Sequence, residues 1–338
     1  MDITGKEVFK RRVLELEKLG HRGSATVFED RAADYLINEL SASDIEANKE
    51  IFDGSNSLGA RLLLHIVIAA TGLAFISSFP IVTILVSVLT LISFIGEAST
   101  RFRILTRLLP KVQSRNVIGR IPSLNKNKPI YRLILCAHID TQRIGLIWKD
   151  YIVKRASMLY SIVPGPMKSP FFILMLNFIL QLFVGILSLI LPTNALINIM
   201  LWIIAVSYAI HGFLFAEWTI GKYSPGACDN ATGCAAAIAI AEYWLNNSVD
   251  NIELVILLTG CEETGLLGAA AWLDKHKTEL KMSSNLFLNL DTLGYGAPRF
   301  LKKEFTMAAI PVSYPKEILS ICDTAAQNIG LKKTGPYI

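Results

Sequence analysis

Two long stretches of this sequence contain no Asp, Glu, Lys or Arg. The first covers residues 62–96, a run of 35 residues, and the second covers residues 169–216, a run of 48 residues. A helix that crosses a lipid bilayer needs about 20 predominantly apolar residues, within a range of about 17–25. Each stretch is long enough for two crossings. We expect both to lie in lipid, because a soluble domain rarely has a use for such runs.

Each stretch is interrupted by residues that favour a turn, Ser-Ser-Phe-Pro at 77–80 and Pro-Thr-Asn at 192–194. We therefore predict four membrane helices in two hairpins. The alternative for the first stretch is a buried helical hairpin in a soluble core. The predicted hairpins cover residues 58–97, with arms at about 61–77 and 80–97, and residues 169–216, with arms at about 170–191 and 195–216.

The segments outside the hairpins are predicted to form one domain. Because an even number of crossings returns the chain to the same side of the bilayer, residues 1–57, 98–168 and 217–338 can assemble together. The composition, with 52% apolar and 18% charged residues, agrees with a chain that lies partly in lipid. The net charge of +5 is modest and spread out, so we expect the lipid bilayer as a partner and no nucleic acid.

Two histidines, His65 and His211, lie within the apolar stretches. An ionisable residue inside a membrane is a functional candidate by default. Both histidines are near the ends that adjoin the soluble segments, where an amphipathic side chain can extend to the interface. We therefore expect interfacial histidines.

Acidic and imidazole side chains follow the strand-like runs outside the hairpins, and one more acid lies in a turn before an alanine-rich helix. Open α/β sheets usually place their sites at the carboxyl ends of strands. Imidazole and carboxylate ligands suit zinc, and a carboxylate can bridge two ions about 3.5–4 Å apart. The candidates are His138 and Asp140 after residues 131–137, Asp229 in the turn 224–233, Glu262 and Glu263 after residues 251–257, and Asp291 after residues 285–290.

Apolar periodicity predicts the elements around these candidates. The expected strand at residues 116–121 is assigned as the edge partner of the His138 strand, with a hairpin turn at 122–128. The other expected elements are a strand at 45–52 and helices at about 8–19, 29–40, 230–244, 266–276 and 318–329.

Four motifs in this order resemble the M28 family of di-zinc aminopeptidases. Residues 19–24 and 29–36 are also similar to that family's first helices, and the resemblance covers residues 1–57, 98–148 and 217–300. It implies an α/β fold with a mixed, mostly parallel sheet and flanking helices, here with the two hairpins inserted. The motifs are His138-x-Asp140, Asp229-Asn230-x-x-Gly233, Glu262-Glu263-x-Gly265-Leu266-Leu267-Gly268 and Leu290-Asp291.

The resemblance also implies two zinc ions and their ligands. His138 and Asp291 would hold one zinc, Glu263 would hold the other, and Asp229 would bridge them. Taken singly, such acids are as often caps and turn residues, and Asp229 could begin the helix that follows it.

The same resemblance assigns the chemistry to two further acids. Glu262 would be the general base that takes a proton from water and passes it to the leaving amine of a peptide substrate. Asp140 would orient the ring of His138. Cys228 and Cys261 adjoin site residues and are alternative soft ligands, but small buried thiols are the favoured interpretation.

Three functions are compatible with these residues. A membrane-bound zinc aminopeptidase is favoured, because scaffolds lose ligands or the base, whereas this sequence retains His138, Asp229, Glu262, Glu263 and Asp291. A non-catalytic M28-like scaffold or receptor and a zinc-dependent glutaminyl cyclase are the alternatives, since fold resemblance alone does not choose a reaction.

One element of the family pattern is missing, a histidine downstream of the strand-end Asp that completes the Glu263 zinc. The five histidines are 21, 65, 138, 211 and 276, so none follows Asp291. We expect a longer chain that carries this histidine and a closing strand after residues 334–338. The alternative is one zinc site that is short of a protein ligand.

The topology of the soluble segments can be tested by labelling. The turns at 77–80 and 192–194 carry no Lys or Arg, and the first residues lack a signal peptide. Five cysteines, an odd number, favour free thiols in a reducing compartment. The basic flanks that are expected to stay in the cytosol are Arg61, Arg101, Arg103, Arg107, Lys154, Arg155 and Lys168.

We predict that an impermeant thiol reagent added outside sealed cells labels the soluble segments only after the membrane is permeabilised, because basic flanks stay inside. Labelling before permeabilisation would reverse the predicted topology.

Overall fold

The computed structural model describes residues 3–125, 131–160, 170–191, 194–296, 299–307 and 310–330. Parts of the turns expected at 122–128 and 192–194, and all of residues 334–338, lie outside the described residues. The chain divides into two compact units, and neither is continuous in sequence. The first unit comprises Met1–Leu58, Pro110–Ile144 and Gly221–Gly296, and the second comprises Gly59–Leu109, Gly145–Ile220 and Ala297–Ile338.

The chain forms both helices and strands, often with two or more helices in succession. The longer elements, in chain order, are α1 (Ile3–Lys18), α2 (Val27–Ser41), β1 (Ala47–Gly54), α3 (Leu58–Ala74), α4 (Pro80–Ala98), β2 (Val112–Ile121), β3 (Tyr131–His138), α5 (Asp150–Tyr160), α6 (Pro170–Ile190), α7 (Ala195–Ile220), α8 (Thr232–Asn246), β4 (Ile252–Thr259), α9 (Leu267–Leu280), β5 (Ser284–Asn289), β6 (Lys303–Phe305), β7 (Pro311–Ser313) and α10 (Lys316–Asn328).

A five-stranded sheet forms the centre of the first unit, in the order β1-β2-β4-β3-β5. Strands β3, β4 and β5 are parallel, whereas β1, β2 and β4 pair antiparallel. The sheet is therefore mixed, as predicted, with its parallel part limited to three strands.

The predicted pairing of β2 with the His138 strand is wrong. Strand β2 pairs with β1 and β4, so β4 lies between β2 and β3. The physical reason is the composition of β4, whose residues from Glu253 to Thr259 are all buried. Such a continuous apolar strand belongs at the centre of a sheet, covered on both faces.

Alternate residues of β4 pack against helices on opposite faces of the sheet. Leu254, Ile256 and Leu258 join a core with residues of α1, α2 and α8. Val255 and Leu257 pack on the other face with Trp272 of α9. Because side chains of a strand alternate between faces, one strand supplies both cores. The prediction of flanking helices is confirmed.

Strand β5 is an edge strand within the described residues, and it is largely exposed. Leu286, Phe287 and Leu288 are each more than a third accessible. The neighbouring strand β3, by contrast, is buried over most of its length. The closing strand expected from the sequence stays a prediction.

The apolar stretches form helices α3, α4, α6 and α7 in the second unit, at the four predicted places. Three described helices are long and apolar enough to cross a membrane, Pro80–Ala98, Phe171–Ile190 and Ala195–Ile220. The fourth apolar helix, α3, is shorter, with 17 residues, and ends at Ala74, where the chain begins to turn, so the fourth crossing stays a prediction. Helix α5 was not expected from the sequence.

The buried side chains of these helices include polar residues as well as apolar ones such as Phe178 and Ile204, and many further apolar side chains are exposed. On α4 the buried residues include Thr83, Ser87 and Thr90, whereas Leu85 is 64% exposed. On α6 the buried Gln181 donates to the carbonyl of Ala69 at 2.9 Å and accepts from the hydroxyl of Tyr208 at 2.7 Å. Soluble helices show the reverse distribution. This arrangement suits a hydrocarbon surrounding, where polar groups must find partners inside the bundle.

Neither histidine of the apolar stretches extends to the surface, so the expectation of interfacial histidines is wrong. His65 is fully buried, and its ring nitrogens lie 2.9 Å from the carbonyl of Arg61 and 3.0 Å from the hydroxyl of Ser93. His211 is buried as well, with Nδ1 2.8 Å from the carbonyl of Ser207. Each ring bonds to the carbonyl four residues earlier in its own helix.

An ion-pair network at Arg12 offers a stability test in the first unit. The side chain of Arg12 is 4% exposed and bonds to Glu39 at 2.8 Å and to Glu242, which joins α1 to α2 and α8. Arg11 also bonds to Glu39, at 2.7 Å, but its side chain is 48% exposed.

We predict that Arg12→Met lowers the melting temperature of the full chain by about 4–8 °C. The substitution leaves Glu39 and Glu242 without a buried partner, and because these two acids are partly exposed we expect the free energy of unfolding to fall by about 2 kcal/mol. The matched Arg11→Met should lower it by less than about 3 °C, because exposed pairs contribute little. Equal shifts in calorimetry would contradict the importance given to burial here.

Candidate metal centre

The candidate residues meet at the carboxyl edge of the parallel strands. His138 is the last residue of β3, Glu262 and Glu263 follow β4, and Asp291 follows β5. Parallel strands end at the same edge of a sheet, which is where α/β proteins form their sites. Asp229 reaches this edge from the turn that precedes α8.

His138 faces two of the predicted carboxylates. Its Nδ1 lies 3.0 Å from the backbone carbonyl of Asp140. Its Nε2 lies 2.9 Å from Oδ1 of Asp229 and 3.7 Å from Oδ1 of Asp291. A proton on Nδ1 is held by the carbonyl of Asp140, so Nε2 is the nitrogen that a neutral ring would offer to a metal. Burial opposes a charge on this ring, but the carboxylates of Asp140, Asp229 and Asp291 outweigh it and raise the pKa of His138 well above its usual value.

Arg22 holds the turn that carries Asp229. Its buried guanidinium donates to the carbonyls of Pro225 and Gly226, each at 2.8 Å. Gly226 has a φ of +67°, which is accessible to glycine without strain. The alternative role for Asp229, the N-cap of α8, is wrong, because Ala231 occupies the N-cap position.

Asp140 fixes the backbone of the adjacent glutamates. Its fully buried carboxylate accepts from the amide of Glu262 at 3.0 Å, from the amide of Glu263 at 3.1 Å and from the hydroxyl of Ser24 at 2.6 Å. The nearer carboxylate oxygen lies 3.6 Å from Nδ1 of His138. Asp140 therefore orients the ring mainly through its carbonyl, and its side chain orients the Glu262–Glu263 turn.

Glu263 offers an oxygen that no described residue satisfies. Its Oε2 accepts from Nε2 of Gln142 at 2.8 Å, whereas its buried Oε1 lacks a hydrogen-bond partner in the part of the chain that the structure describes. Ligand atoms of His138, Asp229 and Glu263 all lie within 4.8 Å of one another. An unpaired buried carboxylate oxygen beside an imidazole and a second carboxylate fits a metal ion.

The electrostatics of the site also favour a cation. Burial raises the pKa of Glu262 to about 7, an effect that His138 opposes and the neighbouring carboxylates reinforce. Burial, followed by the charge of Glu262, raises the pKa of Glu263 to about 9. The cluster is thus short of positive charge, and a divalent ion would relieve the repulsion among its acids. Imidazole and carboxylate donors fit zinc.

Several contributing residues were not expected from the sequence. Ser24 and Arg22 contact the site from a loop that is distant in sequence, and Gln142 follows Asp140 by two residues, but no spacing pattern marks any of them. The signal nearest to them is the family resemblance of residues 19–24. Cys261 is fully buried, and burial raises the pKa of its thiol to about 12, which agrees with an inert thiol and not with a soft ligand.

The model of Peptidase family M28 matches residues 214–334. No curated protein matches the chain. Solved structures similar to it include a leucine aminopeptidase precursor from Bacteroides thetaiotaomicron, with 15% identity over 99% of this chain and 78% of that chain and a TM-score of 0.48. A Zn-dependent exopeptidase from Parabacteroides distasonis has 12% identity over 98% of this chain and 74% of that chain, with a TM-score of 0.49. A glutaminyl cyclase from Fimbriiglobus ruber has 12% identity over 86% of this chain and 62% of that chain, with a TM-score of 0.41.

The resemblance to peptidase family M28 is thereby confirmed over residues 214–334, a segment that contains Asp229, Glu262, Glu263 and Asp291. The solved structures add no argument, because their TM-scores lie below 0.5 and their identities below 25%. The chain also spans only 62% of the length of the Fimbriiglobus ruber enzyme.

We predict that saturating Zn²⁺ raises the melting temperature of the chain by about 5–10 °C, since a ligand at about 100 times its dissociation constant stabilises by about 2.7 kcal/mol. His138→Ala should reduce this shift to below about 2 °C. The matched His276→Ala removes a histidine that bonds to Glu50 and Glu279 outside the site, and it should leave the zinc shift intact. An undiminished shift in His138→Ala would contradict this metal site.

Proposed function

We propose that this protein is a membrane-bound, zinc-dependent hydrolase of the M28 type, and that it acts as an aminopeptidase that releases N-terminal residues from peptides. The observation that carries the proposal is the arrangement at the end of β4. There a half-buried carboxyl group, Glu262, stands next to a metal-donor cluster, on a turn fixed by Asp140. The family match includes this turn.

The ligand roles follow the assignment made from the family resemblance. His138 and Asp291 would hold one zinc, Glu263 would hold the other, and Asp229 would be shared between them. The proximity of His138 Nε2 to both Asp229 and Asp291 supports the first ligand set. Bound zinc would supply Lewis acidity, polarising the scissile carbonyl and lowering the pKa of water.

Glu262 moves the proton of the reaction. One carboxylate oxygen takes a proton from the attacking water and then passes it to the nitrogen of the leaving amine. A base is most effective when its pKa is near the working pH. The burial that raises the pKa of Glu262 supports this role, and Asp140 fixes the backbone from which the Glu262 side chain extends.

A scaffold without activity is disfavoured by the same residues. A non-catalytic relative needs neither a general base nor an unpaired ligand oxygen, and this chain has both Glu262 and the free Oε1 of Glu263. Unsatisfied buried oxygens cost free energy, which is tolerated where a function uses them.

The second unit is proposed to anchor the hydrolase in a bilayer. Three helices of the described part of the chain are long and apolar enough to cross a membrane. Their exposed side chains are apolar and their buried ones include Gln181, Thr83 and Ser87, which supports a lipid surrounding. The basic flanks favour a catalytic domain on the cytoplasmic side.

We predict that Glu262→Gln keeps its zinc but loses at least about a hundredfold in turnover of aminoacyl amides, because general acid–base catalysis typically contributes about 10²–10⁴-fold. Glu263→Gln should instead lose zinc, since it removes a charged ligand. Metal analysis and an amide-hydrolysis assay on the same preparations separate the two roles. Equal activity and full metal in both variants would show that the roles are misassigned.

A peptide with N-terminal glutamine distinguishes the two enzymatic alternatives. An aminopeptidase releases free glutamine and a shortened peptide. A glutaminyl cyclase releases ammonia and leaves a pyroglutamyl peptide of unchanged length. We expect the shortened peptide, and ammonia release with an intact peptide bond would replace the aminopeptidase proposal with the cyclase.

A further inference from the structure

Glu29 is a fully buried acid with no assigned role. It lies in the first turn of α2 and makes three hydrogen bonds with separate parts of the chain. Its Oε1 accepts from the amide of Cys261 at 3.0 Å. Its Oε2 accepts from the amide of Ala25 at 3.0 Å and from the hydroxyl of Ser114, on β2, at 2.7 Å. One carboxylate thus connects the start of α2, the second strand and the residue before Glu262.

Glu29 contacts Cys261, whose backbone has an uncommon conformation. Cys261 has a φ of +51°, in the left-handed region that residues other than glycine seldom adopt. Such conformations persist only where the surroundings determine them. The hydrogen bond from the Cys261 amide to Glu29 supplies that determination, and the chain leaves Cys261 in the direction that points Glu262 and Glu263 into the metal centre.

Side chains hold the four amides of residues 260–263, where this turn begins. The amide of Gly260 donates to Asn116 Oδ1 at 3.1 Å, and the amides of Glu262 and Glu263 donate to Asp140. Glu29 holds the amide between them. Gly260 must be glycine for this approach, since a Cβ there would lie 2.8 Å from Glu29 Oε1 and 2.6 Å from the carbonyl of Arg115. Glu29 is therefore packed directly beneath the turn.

We propose that Glu29 is a positioning residue for the metal centre, whose carboxylate bridges the amides of Ala25 and Cys261 and so fixes the direction of Glu262 and Glu263. The roles of Glu262 and Glu263 rest on the proposed function, whereas the bridge itself does not. Glu29 touches no reacting atom. Its effect is transmitted through the backbone of Cys261.

Two variants break the bridge in different ways. Glu29→Met keeps the length of the side chain but removes both acceptors. Glu29→Asp keeps the carboxylate but is one methylene group too short to reach both amides. The matched control is Asp30→Asn, which removes an acid from the same turn of α2, where Asp30 bonds to Lys49 and Arg115 and not to the Glu262–Glu263 turn.

Zinc affinity, measured by competition with a chelator, should fall about 10- to 100-fold in both Glu29 variants, the usual effect of losing a group that orients metal ligands. The turnover number should fall with little change in KM. Asp30→Asn should leave both unchanged. A merely structural role would lower the melting temperature and leave the zinc affinity of the folded chain as it is.

Hydrogen exchange on the metal-free chain tests the bridge independently of zinc and activity. The amides of residues 261–263 should exchange at least about tenfold faster in Glu29→Met and Glu29→Asp, and at the wild-type rate in Asp30→Asn. If Glu29→Met does not fold, Glu29→Asp decides alone. Unchanged exchange and zinc affinity in a folded Glu29 variant would overturn the proposal. Failure of the wild-type chain to bind zinc would overturn the proposed function. The hydrogen-exchange rates of the metal-free chain would then be the test of whether Glu29 fixes the backbone of residues 261–263.

Discussion

The buried carboxylate of Asp140 is the interaction on which the metal centre depends. It has no exposed surface, and a buried acid is costly unless it is fully hydrogen-bonded. Its partners are the hydroxyl of Ser24 and the amides of Glu262 and Glu263, while its own carbonyl holds the ring of His138. The end of β3 is thereby joined to the end of β4. The proposed ligand and the proposed base are fixed by the same group that fixes the imidazole.

In both units the buried polar groups find hydrogen-bond partners inside the protein, but the two units differ in how apolar their surfaces are. In the first unit the buried carboxylates of Asp140 and Glu29 are matched by amides and hydroxyl groups, and apolar residues fill the cores on both faces of β4. In the second unit Gln181 is matched inside the bundle, and many apolar side chains are exposed on its surface. An apolar surface over paired polar groups is suited to a hydrocarbon surrounding, because lipid tails offer no hydrogen bonds.

Periodicity predicted the strands that carry the candidate residues, and the resemblance predicted that these residues meet. The pairing of β2 was mispredicted, because neighbours in sequence were taken as neighbours in the sheet, whereas the apolar β4 occupies the centre. The role of the Asp140 side chain and that of Glu29 were missed for a different reason. Both accept hydrogen bonds from backbone amides of the turn after β4. The direction in which a backbone amide points cannot be read from the sequence of side chains.

The central claim, that strand-end imidazole and carboxylate groups bind zinc, is tested most directly by X-ray absorption of the zinc-loaded chain. The account predicts nitrogen and oxygen ligands at about 2.0–2.2 Å, an imidazole contribution that is lost in His138→Ala, and no sulfur. Sulfur at about 2.3 Å would point to Cys228 or another thiol as a ligand. That result, or an imidazole signal that survives His138→Ala, would contradict the account.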